Sequence, residues 1–413
     1  MNLSSKFAAM VGNLLEHYDT ALFGLLAPFL APLFFPDQDP LTALILTYGI
    51  LPLGLFVRPL GAIFFGWLTD ALGCKKTLFY SLFGTAIITL CMGFLPTYEK
   101  IGILAPILLA LARMLQGFFA AGESTGGILF LLERTSAKNK SLLSSFYDVT
   151  SMAGGMLASL AVALLSTKNS IHDAWRFLFF LGGATALFGL FIRYFTNDIK
   201  WISPKSSPSS FSFLCLLKEH KKAICKIALA CGFSHITYSF AFTFMNGFIP
   251  LITHLSKEEM VYANTKLLIW DMCLLPCFGV LAHKIGKEKV MIFGALGSAL
   301  FALPLFSLLK EDCSLQTIFL IRISIVILGT AFAAPYYAWA VEQVPLKNRC
   351  LILALGANIG SQLLAAPSQS ICLWLFKITH WKATPSIYFI LLGSLASYIV
   401  IRSSRRSSIA LSS

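Results

Sequence analysis

The sequence predicts an all-α, polytopic membrane protein with twelve transmembrane helices in two halves of six. Three observations predict it: the composition, the length of the apolar runs and the spacing of basic residues. Apolar residues make up 57% of the 413 residues and charged residues only 12%, whereas a soluble chain of this size needs a far more polar surface. Runs such as Ile101–Leu132 and Leu351–Phe376 reach or exceed the ~20 residues that cross a hydrocarbon core.

The apolar runs place the helices at intervals along the chain. In the first half we expect them at 7–35, 42–69, 77–95, 102–133, 141–166 and 175–196. In the second half we expect them at 223–252, 264–284, 289–309, 315–342, 350–377 and 384–402. The domains are therefore an N-terminal six-helix bundle (1–196), a cytoplasmic linker (197–222) and a C-terminal six-helix bundle (223–413).

Loops rich in Lys and Arg alternate with loops that have few, which is the pattern of the positive-inside rule. The formal net charge of +13 therefore indicates orientation, and no basic arm indicates a nucleic-acid partner. We predict that the rich loops and both termini are cytoplasmic. The basic residues of these segments are Lys75, Lys76, Arg134, Lys138, Lys140, Lys200, Lys205, Lys218, Lys221, Lys222, Lys284, Lys287, Lys289, Lys347, Arg349, Arg402, Arg405 and Arg406.

The two halves repeat each other in sequence. The segment G-W-L-T-D-A-L-G-C-K-K at Gly66–Lys76 returns as G-V-L-A-H-K-I-G-K-E-K at Gly279–Lys289. Arg113 in the first half and Arg322 in the second are each followed twenty positions later by a glutamate. Parallel repeats of this kind occur in transporters that bind solute between the halves, near the membrane midplane.

Helix one carries several polar and ionisable residues. Because an ionisable side chain at the centre of a membrane helix costs about 2.5–3.5 kcal/mol on insertion scales, each one indicates a function or a partner. The sequence gives Asn13, Glu16, His17, Tyr18 and Asp19. Glu16 and Asp19 are candidates for proton coupling, and Asn13 and Tyr18 for substrate binding. The alternative is that both carboxylates anchor the cytoplasmic end of the helix.

Helix four carries Arg113, Gln116 and Glu123. Glu123 lies deep in an apolar run and is the strongest sequence candidate for carrying the coupled proton. Arg113 is a candidate for binding a carboxylate, since its guanidinium fork suits bidentate contact, and Gln116 lies beside it. The alternative is a fixed structural pair between the arginine and the glutamate.

Helix five adds Asp148 as a further proton-coupling candidate, with an interfacial anchor as the alternative. In the second half, His235, Tyr238 and Asn358 are candidates for substrate binding, and Asp271 is a further polar residue inside a helix. Such residues also satisfy hydrogen bonds within helical bundles. We expect a cavity lined by helices one, four and five with seven, eight and eleven.

A further set of residues is predicted to control the change between conformations. The glycines of the repeated loop permit close helix approach, and Asp70 at the end of helix two can pair in one conformation only, which biases the equilibrium between states. The full set is Asp70, Gly66, Gly73, Lys75, Lys76, Arg58, Glu133, Glu342 and Arg349.

At these residues the chain resembles the major facilitator superfamily, through its signature loop G-x-L-x-D-x-x-G-x-K. Within it, the chain is similar to the metabolite:proton symporter family and, over Leu95–Gly126 with Tyr147–Asp148, to its proline/glycine-betaine osmoprotectant symporters. The segments that carry this resemblance are G-N-L-L-E-H-Y-D (Gly12–Asp19), R-P-L-G-A-I-F-F-G (Arg58–Gly66), R-M-L-Q-G-F-F-A-A-G-E (Arg113–Glu123), W-R-F (Trp175–Phe177) and E-Q-V-P-L-K-N-R (Glu342–Arg349).

The resemblance implies the major facilitator fold and secondary active transport, with proton-coupled uptake of a small organic solute by alternating access. It implies no cofactor besides the proton motive force, and as partners the lipid bilayer, the solute and protons. It also implies a monomer in the bacterial inner membrane. The chain departs from the family pattern at Ala71 and Cys74, where basic residues are usual, at His283 and Ser124, and in its short tail.

Other functions are less compatible with the sequence. The sequence contains no G-x-x-x-x-G-K-[ST] loop and no H-E-x-x-H pair, so we predict no enzyme. The ten cysteines form no C-x-x-C motif, so we predict no metal site. Within the transporters, a di- or tricarboxylate permease and a drug:proton exporter remain alternatives, although helix five lacks the proline typical of such exporters.

Overall fold

A computed structural model describes residues 3–54, 57–58, 60–61, 64–65, 68, 72, 74–121, 140–166, 171–195, 210–344 and 349–412. These residues form helices and short connections and contain no strand. The helices of the first half are α1 (Leu3–Phe34), α2 (Pro40–Gly49), α3 (Cys74–Phe94), α4 (Leu104–Ala120), α5 (Lys140–Ser166) and α6 (Ile171–Phe195).

The second half contains two helices that widen into π-helical turns. α7 begins as Ser210–Ser239, passes through the π-turn Phe240–Phe244 and ends as Met245–Ile252; α11 consists of Arg349–Ile359, the π-turn Gly360–Ala365 and Ser368–Thr379. The other helices are α8 (Lys257–Ile285), α9 (Lys287–Ser307), α10 (Leu315–Ala333, continued by Tyr336–Glu342) and α12 (Pro385–Ser412). π-turns are rare and often occur at functional sites.

Six of the described helices, in α5, α7, α8, α9, α10 and α12, are long and apolar enough to cross a membrane, and shorter apolar helices lie in α2, α3, α4 and α6. Large apolar side chains on their outer faces are exposed, among them Phe94 at 75% and Leu300 at 71%. An apolar exterior of this extent suits contact with lipid rather than water.

Local sequence explains where several helices begin and end. At the start of α8, Ser256 and Glu259 form a capping box, in which each side chain accepts a hydrogen bond from the backbone N–H of the other. Pro40 follows the N-cap Asp39 at the start of α2. Gly286, with φ of 100°, ends α8 in a conformation that L side chains rarely adopt.

The second copy of the repeated loop shows what its glycines do. A Cβ added at Gly279 would lie 2.3 Å from Oγ of Ser145, so this glycine lets α8 approach α5 of the other half. Gly286 makes the turn between α8 and α9. Gly66 and Gly73 of the first copy lie outside the described residues, and their roles stay predictions.

α7 begins within the segment that we predict as the linker. Our expected start was residue 223, whereas the helix begins at Ser210. The stretch 214–222 reads L-C-L-L-K-E-H-K-K, which is rich in residues of high helix propensity. The linker residues 197–209 lie outside the described part of the chain, and the division into two domains stays a prediction.

Candidate solute and proton site

A cavity of about 200 Å³ lies between the two halves. It contains polar groups from both of them and is otherwise apolar, as small-molecule sites commonly are. Its lining comprises Leu15, Asp19, Thr20, Leu51, Gly54, Arg58, Leu82, Thr85, Arg113, Gln116, Gly117, Ala120, Ala186, His235, Ser239, Ser361, Gln362, Ala365, Ala366 and Gln369.

Asp19 is the carboxylate among the described residues that line this cavity. Its residue is 6% exposed, and its two oxygens accept hydrogen bonds from the Thr89 hydroxyl at 3.1 and 3.0 Å. The amide of Gln116 donates a further hydrogen bond to it. Three helices therefore hold one carboxylate: α1 carries it, and α3 and α4 supply its donors.

Arg113 interacts electrostatically with the Asp19 carboxylate. The Gln116 side chain connects the two, because it is hydrogen-bonded to both of them. The guanidinium donates to the Gln116 carbonyl oxygen, while the Gln116 amide nitrogen donates to Asp19 and to the Thr89 hydroxyl at 3.0 Å. The guanidinium carbon lies 4.5 Å from the centre of the Phe23 ring, a cation–π contact. Because the amide mediates the contact, the guanidinium keeps donors available to the cavity.

Arg58 brings a second positive charge to the cavity and connects the two halves. Its Nη1 donates to Oδ1 of Asn358 at 3.5 Å, and the Asn358 amide in turn donates to the carbonyl of Ala354 at 2.9 Å. His235 also lines the cavity, and its Nδ1 pairs with the carbonyl of Cys231 at 3.2 Å.

Contacts between the halves close the molecule on the side away from the termini. The Tyr48 hydroxyl donates to the carbonyl of Thr243 at 3.1 Å, and Lys257 donates to the carbonyl of Pro28 at 2.8 Å. Lys377 forms an ion pair with Asp39 at 3.3 Å. Pro28, Lys257 and Lys377 lie near the ends of α1, α8 and α11 that face away from both termini, and Asp39 precedes α2 on the same side. Tyr48 and Thr243 lie further inside the molecule.

Five predicted site residues line the cavity: Asp19, Arg58, Arg113, Gln116 and His235. Asn358 is connected to the cavity by the hydrogen bond that it accepts from Arg58. The structure therefore brings together one candidate for proton coupling, three for substrate binding and one for gating. These residues lie on α1, on α4, on α7 and on the segment that follows α2.

Other predicted residues lie elsewhere in the molecule. The Asn13 amide donates to Thr150 and Ser151 at 2.8 Å each and to the carbonyl of Tyr147 at 3.2 Å, which ties α1 to α5. The polar residues of α1 are therefore divided between two surroundings, because Asn13 contacts α5 whereas Thr20 lines the cavity.

Two tyrosines and two carboxylates also lie away from the cavity. Tyr18 is buried and borders Gly182 of α6, and Tyr238 stacks on Phe242 at 5.8 Å. Asp148 lies on α5, outside the cavity lining, and Glu342 forms an ion pair with Lys287.

Several predicted residues cannot be placed. Glu123, Glu133, Asp70, Gly66 and Gly73 lie outside the described residues. The backbones of Glu16, Lys75, Lys76 and Arg349 are helical, but their side chains are not described. Their predicted roles remain predictions.

The sequence reasoning missed part of the lining. Thr89 holds Asp19, and α11 contributes Ser361, Gln362 and Gln369 around its π-turn. The Gln369 amide donates to the Ser239 hydroxyl of α7. The polar residues of S-Q-L-L-A-A-P-S-Q at 361–369 were the available signal, inside the apolar run Leu351–Phe376.

The prediction that helices five and eight line the cavity is wrong. The lining comes from α1, α3, α4, α6, α7, α11 and the segment after α2, whereas α5 and α8 contribute no residue to it. These two helices pack against each other, as shown by the hydrogen bond of 2.9 Å between the hydroxyls of Ser159 and Thr265. Within the described residues, no group of three or more His, Cys, Asp or Glu side chains is placed to hold a metal ion.

Residues 5–203 match the family described as sugar (and other) transporters. Over 403 residues the chain is 29% identical to the glycine betaine/proline/ectoine/pipecolic acid transporter of Dickeya dadantii, covering 94% of this chain and 80% of that protein. It is 27% identical over 402 residues to the proline/betaine transporter of Salmonella typhimurium, with the same coverage of 94% and 80%.

Solved structures show the same fold. The chain superposes on a D-xylose–proton symporter with a TM-score of 0.75 and 16% identity, covering 96% of both chains. It superposes on the xylose transporter of E. coli in a partially occluded inward-open conformation with a TM-score of 0.72 and 17% identity, covering 97% of both. The predicted all-helical fold in two six-helix halves is thereby confirmed. The chain therefore shares the fold of these solved transporters, one of which is described as a proton:xylose symporter of the major facilitator superfamily, and its residues 5–203 match the sugar (and other) transporter family.

Proposed function

We propose that this chain is a proton-coupled symporter that takes up a small carboxylate-bearing zwitterion of the proline and betaine class. The observation that carries the proposal is the group formed by Asp19, Gln116 and Arg113 at the cavity. It places one carboxylate, which can take a proton, next to one guanidinium, which can bind a solute carboxylate.

The charge of the cavity supports a solute with a carboxylate. Its described lining contains two arginines, Arg58 and Arg113, and one carboxylate, Asp19. The guanidinium of Arg113 can pair with a solute carboxylate, and a buried charge is stabilised when it is paired. The positive end of a zwitterion can then lie towards Asp19.

The size of the cavity supports a small solute. Its volume of about 200 Å³ lies below the roughly 300–1,000 Å³ of sites for drug-sized ligands. This argues against the drug:proton exporter. The relatives named as transporters of glycine betaine, proline, ectoine and pipecolic acid support the zwitterion class.

The same group offers a mechanism for coupling. When Asp19 is ionised, Arg113 and Gln116 are drawn towards it. A proton on Asp19 removes that charge, so the guanidinium becomes available to the solute carboxylate. Proton and solute then favour the same conformation, and a ligand shifts an equilibrium only through such differential binding.

Asp19 therefore becomes our first candidate for the coupled proton. Glu123, Glu16 and Asp148 remain candidates beside it, because each is a carboxylate within a predicted membrane helix. The loop residues Asp70, Lys75, Lys76, Glu133 and Arg349 remain candidates for gating.

A di- or tricarboxylate permease is the second candidate function. The presence of both Arg58 and Arg113 at the cavity favours it, since two guanidinium groups can bind two carboxylates. Under this alternative, succinate or citrate should compete with glycine betaine for transport, whereas under our first proposal they should not.

We infer that the chain is a monomer in the bacterial inner membrane, with both termini in the cytoplasm. The exposed Lys218, Lys221 and Lys222 at the start of α7 support this orientation through the positive-inside rule. The closed side then faces the outside. A green fluorescent protein fused after Ser413 should fluoresce in intact cells; a dark fusion with an active transporter would contradict the orientation.

Transport by purified protein in proteoliposomes tests the proposed function. With an acidic outside, we expect labelled glycine betaine or proline to accumulate, and a protonophore to abolish the accumulation. Citrate and 2-oxoglutarate, at the same concentrations, serve as probes of the second candidate. Equal uptake with and without the pH gradient would contradict proton coupling.

A further inference from the structure

A pair of carboxylates lies away from the cavity, where α5 of the first half meets α8 of the second. Asp148 is on α5 and Asp271 on α8, and the two interact electrostatically. Asp271 is 0% exposed. Its Oδ1 accepts a hydrogen bond from the Thr330 hydroxyl, whereas its Oδ2 is buried without a hydrogen-bond partner among the described residues. Oδ2 of Asp148 is likewise buried and unpartnered there.

The contacts on either side show that this interface is closed. On one side of the pair, the Asn264 amide donates to the Ser159 hydroxyl at 3.1 Å. On the other side, α8 approaches Ser145 of α5 closely at Gly279. A Cβ added at Gly279 would lie 2.3 Å from Oγ of Ser145. Asp148 and Asp271 fall between these points on their helices and are brought together only while the halves meet here.

No basic side chain compensates the pair within the described residues. The titratable groups that face it are hydroxyls: Tyr238 of α7 interacts with both aspartates, and Tyr336 of α10 interacts with Asp148. The Tyr238 hydroxyl is buried and makes no hydrogen bond of normal geometry to a described residue. Two ionised carboxylates in such surroundings repel each other and lack the solvation that would stabilise them.

We propose that Asp148 and Asp271 form a second proton-binding site, which holds a proton while α5 and α8 are packed together. A proton on Oδ2 of Asp271 converts an unpaired acceptor into a donor, and the oxygen of the neighbouring Tyr238 hydroxyl can accept it. The proton removes one of the two charges. When the halves separate at this interface, water reaches both carboxylates and the proton leaves.

A proton fits the site better than a metal cation does. The unpartnered oxygens described here are two carboxylate oxygens and the hydroxyls of Tyr238 and Tyr336, whereas hard cations take about six or more oxygen ligands. The site would therefore link a proton to the closed conformation, independently of Asp19. The proposal rests on proton-coupled transport for its role in the cycle, but its test needs no solute.

Infrared difference spectra of the purified chain in lipid nanodiscs, recorded against pH without solute, test the proposal. We expect wild type to show the C=O band of a protonated carboxylic acid that disappears at high pH. Asp271→Asn and Asp148→Asn should each remove that component, and Asp19→Asn should leave it in place. Ser159→Ala, an uncharged change at the same interface, should also retain it.

A further variant distinguishes loss of the proposed site from misfolding of the protein. Thr330→Val keeps both carboxylates but removes the hydrogen bond to Oδ1 of Asp271, and should shift the frequency of the band. Spectra of both Asn variants that superimpose on wild type would overturn the proposal. Loss of the band on adding NaCl at constant pH, but not choline chloride, would instead assign a sodium site. If the infrared bands behave as expected but neither glycine betaine nor proline accumulates in proteoliposomes, only the proposed function is contradicted.

Discussion

Arg113 and Arg322 occupy equivalent positions in the two halves, and the structure surrounds them differently. Both are connected through a side-chain amide: Arg113 through Gln116 and Arg322 through Asn264. The first connection ends at the Asp19 carboxylate beside the cavity. The second continues from Asn264 to the Ser159 hydroxyl at 3.1 Å, in the interface between the halves.

Their burial also differs. Arg322 is 0% exposed, and its guanidinium donates to the carbonyl of Ala241 at 2.7 and 3.0 Å and to that of Met260 at 3.3 Å. Ala241 lies in the π-turn of α7, which directs its carbonyl towards the guanidinium. Arg113 lines the cavity instead. A repeated arginine thus lines the cavity in one half and holds packed backbone segments in the other.

Replacing each arginine should separate these two roles and give the largest effects. Arg322→Gln should lower the free energy of unfolding by about 3 kcal/mol, because it leaves buried carbonyls without donors. Arg113→Gln should fold normally but lose solute accumulation. Thermal denaturation in detergent and uptake in proteoliposomes measure the two outcomes. Equal melting temperatures for the two variants would contradict the comparison.

The gating loops differ between the halves in a similar way. Lys287 forms an ion pair with Glu342 in the second half, whereas the repeat places Cys74 at the position of Lys287. The first half therefore lacks one cation that could pair with Glu133. Arg at both Ala71 and Cys74 should stabilise contacts on the terminal side and shift the population by a few-fold, or about 1 kcal/mol, towards the state open on the opposite side.

Labelling of single cysteines from outside measures this shift in cells. The double Arg variant should label faster on the side away from the termini. Glu342→Gln, which breaks the pair in the second half, serves as the opposing control and should label more slowly. Unchanged rates for both variants would show that these loops do not control the equilibrium.

The ion pair between Asp39 and Lys377 should have the smallest effect, since it is exposed on the closed side. Exposed pairs contribute about 0.2–1 kcal/mol, so Asp39→Asn should raise outside labelling by between about 1.4-fold and about fivefold. Hydrogen bonds from the hydroxyl and N–H of Thr42, together with Lys377, lower the pKa of Asp39 to about 2.

The direction of the pH dependence follows from that pKa. A free aspartate has a pKa of about 3.9, so this contribution is complete above about pH 4 and is lost as the pH falls towards 2. The labelling difference between wild type and Asp39→Asn should therefore not change between pH 5 and pH 8. A difference that varied across this range would mean that another group controls the contact.

Much of the fold follows from the sequence, because apolar runs and basic loops depend on the membrane alone. The site follows less completely. Asp19 and Arg113 were recognisable as ionisable residues in apolar helices, but their connection through Gln116 depends on how α1 and α4 pack. Thr89 and the polar turn of α11 gave weak signals, since Ser, Thr and Gln are common in membrane helices that only pack.

The repeat also shows what a pattern cannot predict. It correctly aligned Arg113 with Arg322, yet it could not show that the second arginine would meet backbone carbonyls, because that depends on the π-turn in α7. The same limit applies to α5 and α8. Their polar residues suggested a cavity lining, but they face each other across the halves.

The central claim is that Asp19 carries the coupled proton. Its most direct test compares exchange with accumulation for Asp19→Asn in proteoliposomes, with Asp312→Asn as a matched change at a carboxylate that is 96% exposed. Asn mimics the protonated side chain, so we predict that Asp19→Asn exchanges labelled glycine betaine across the membrane but no longer accumulates it against a gradient. Asp312→Asn should do both. Accumulation by Asp19→Asn at the wild-type level would contradict the account.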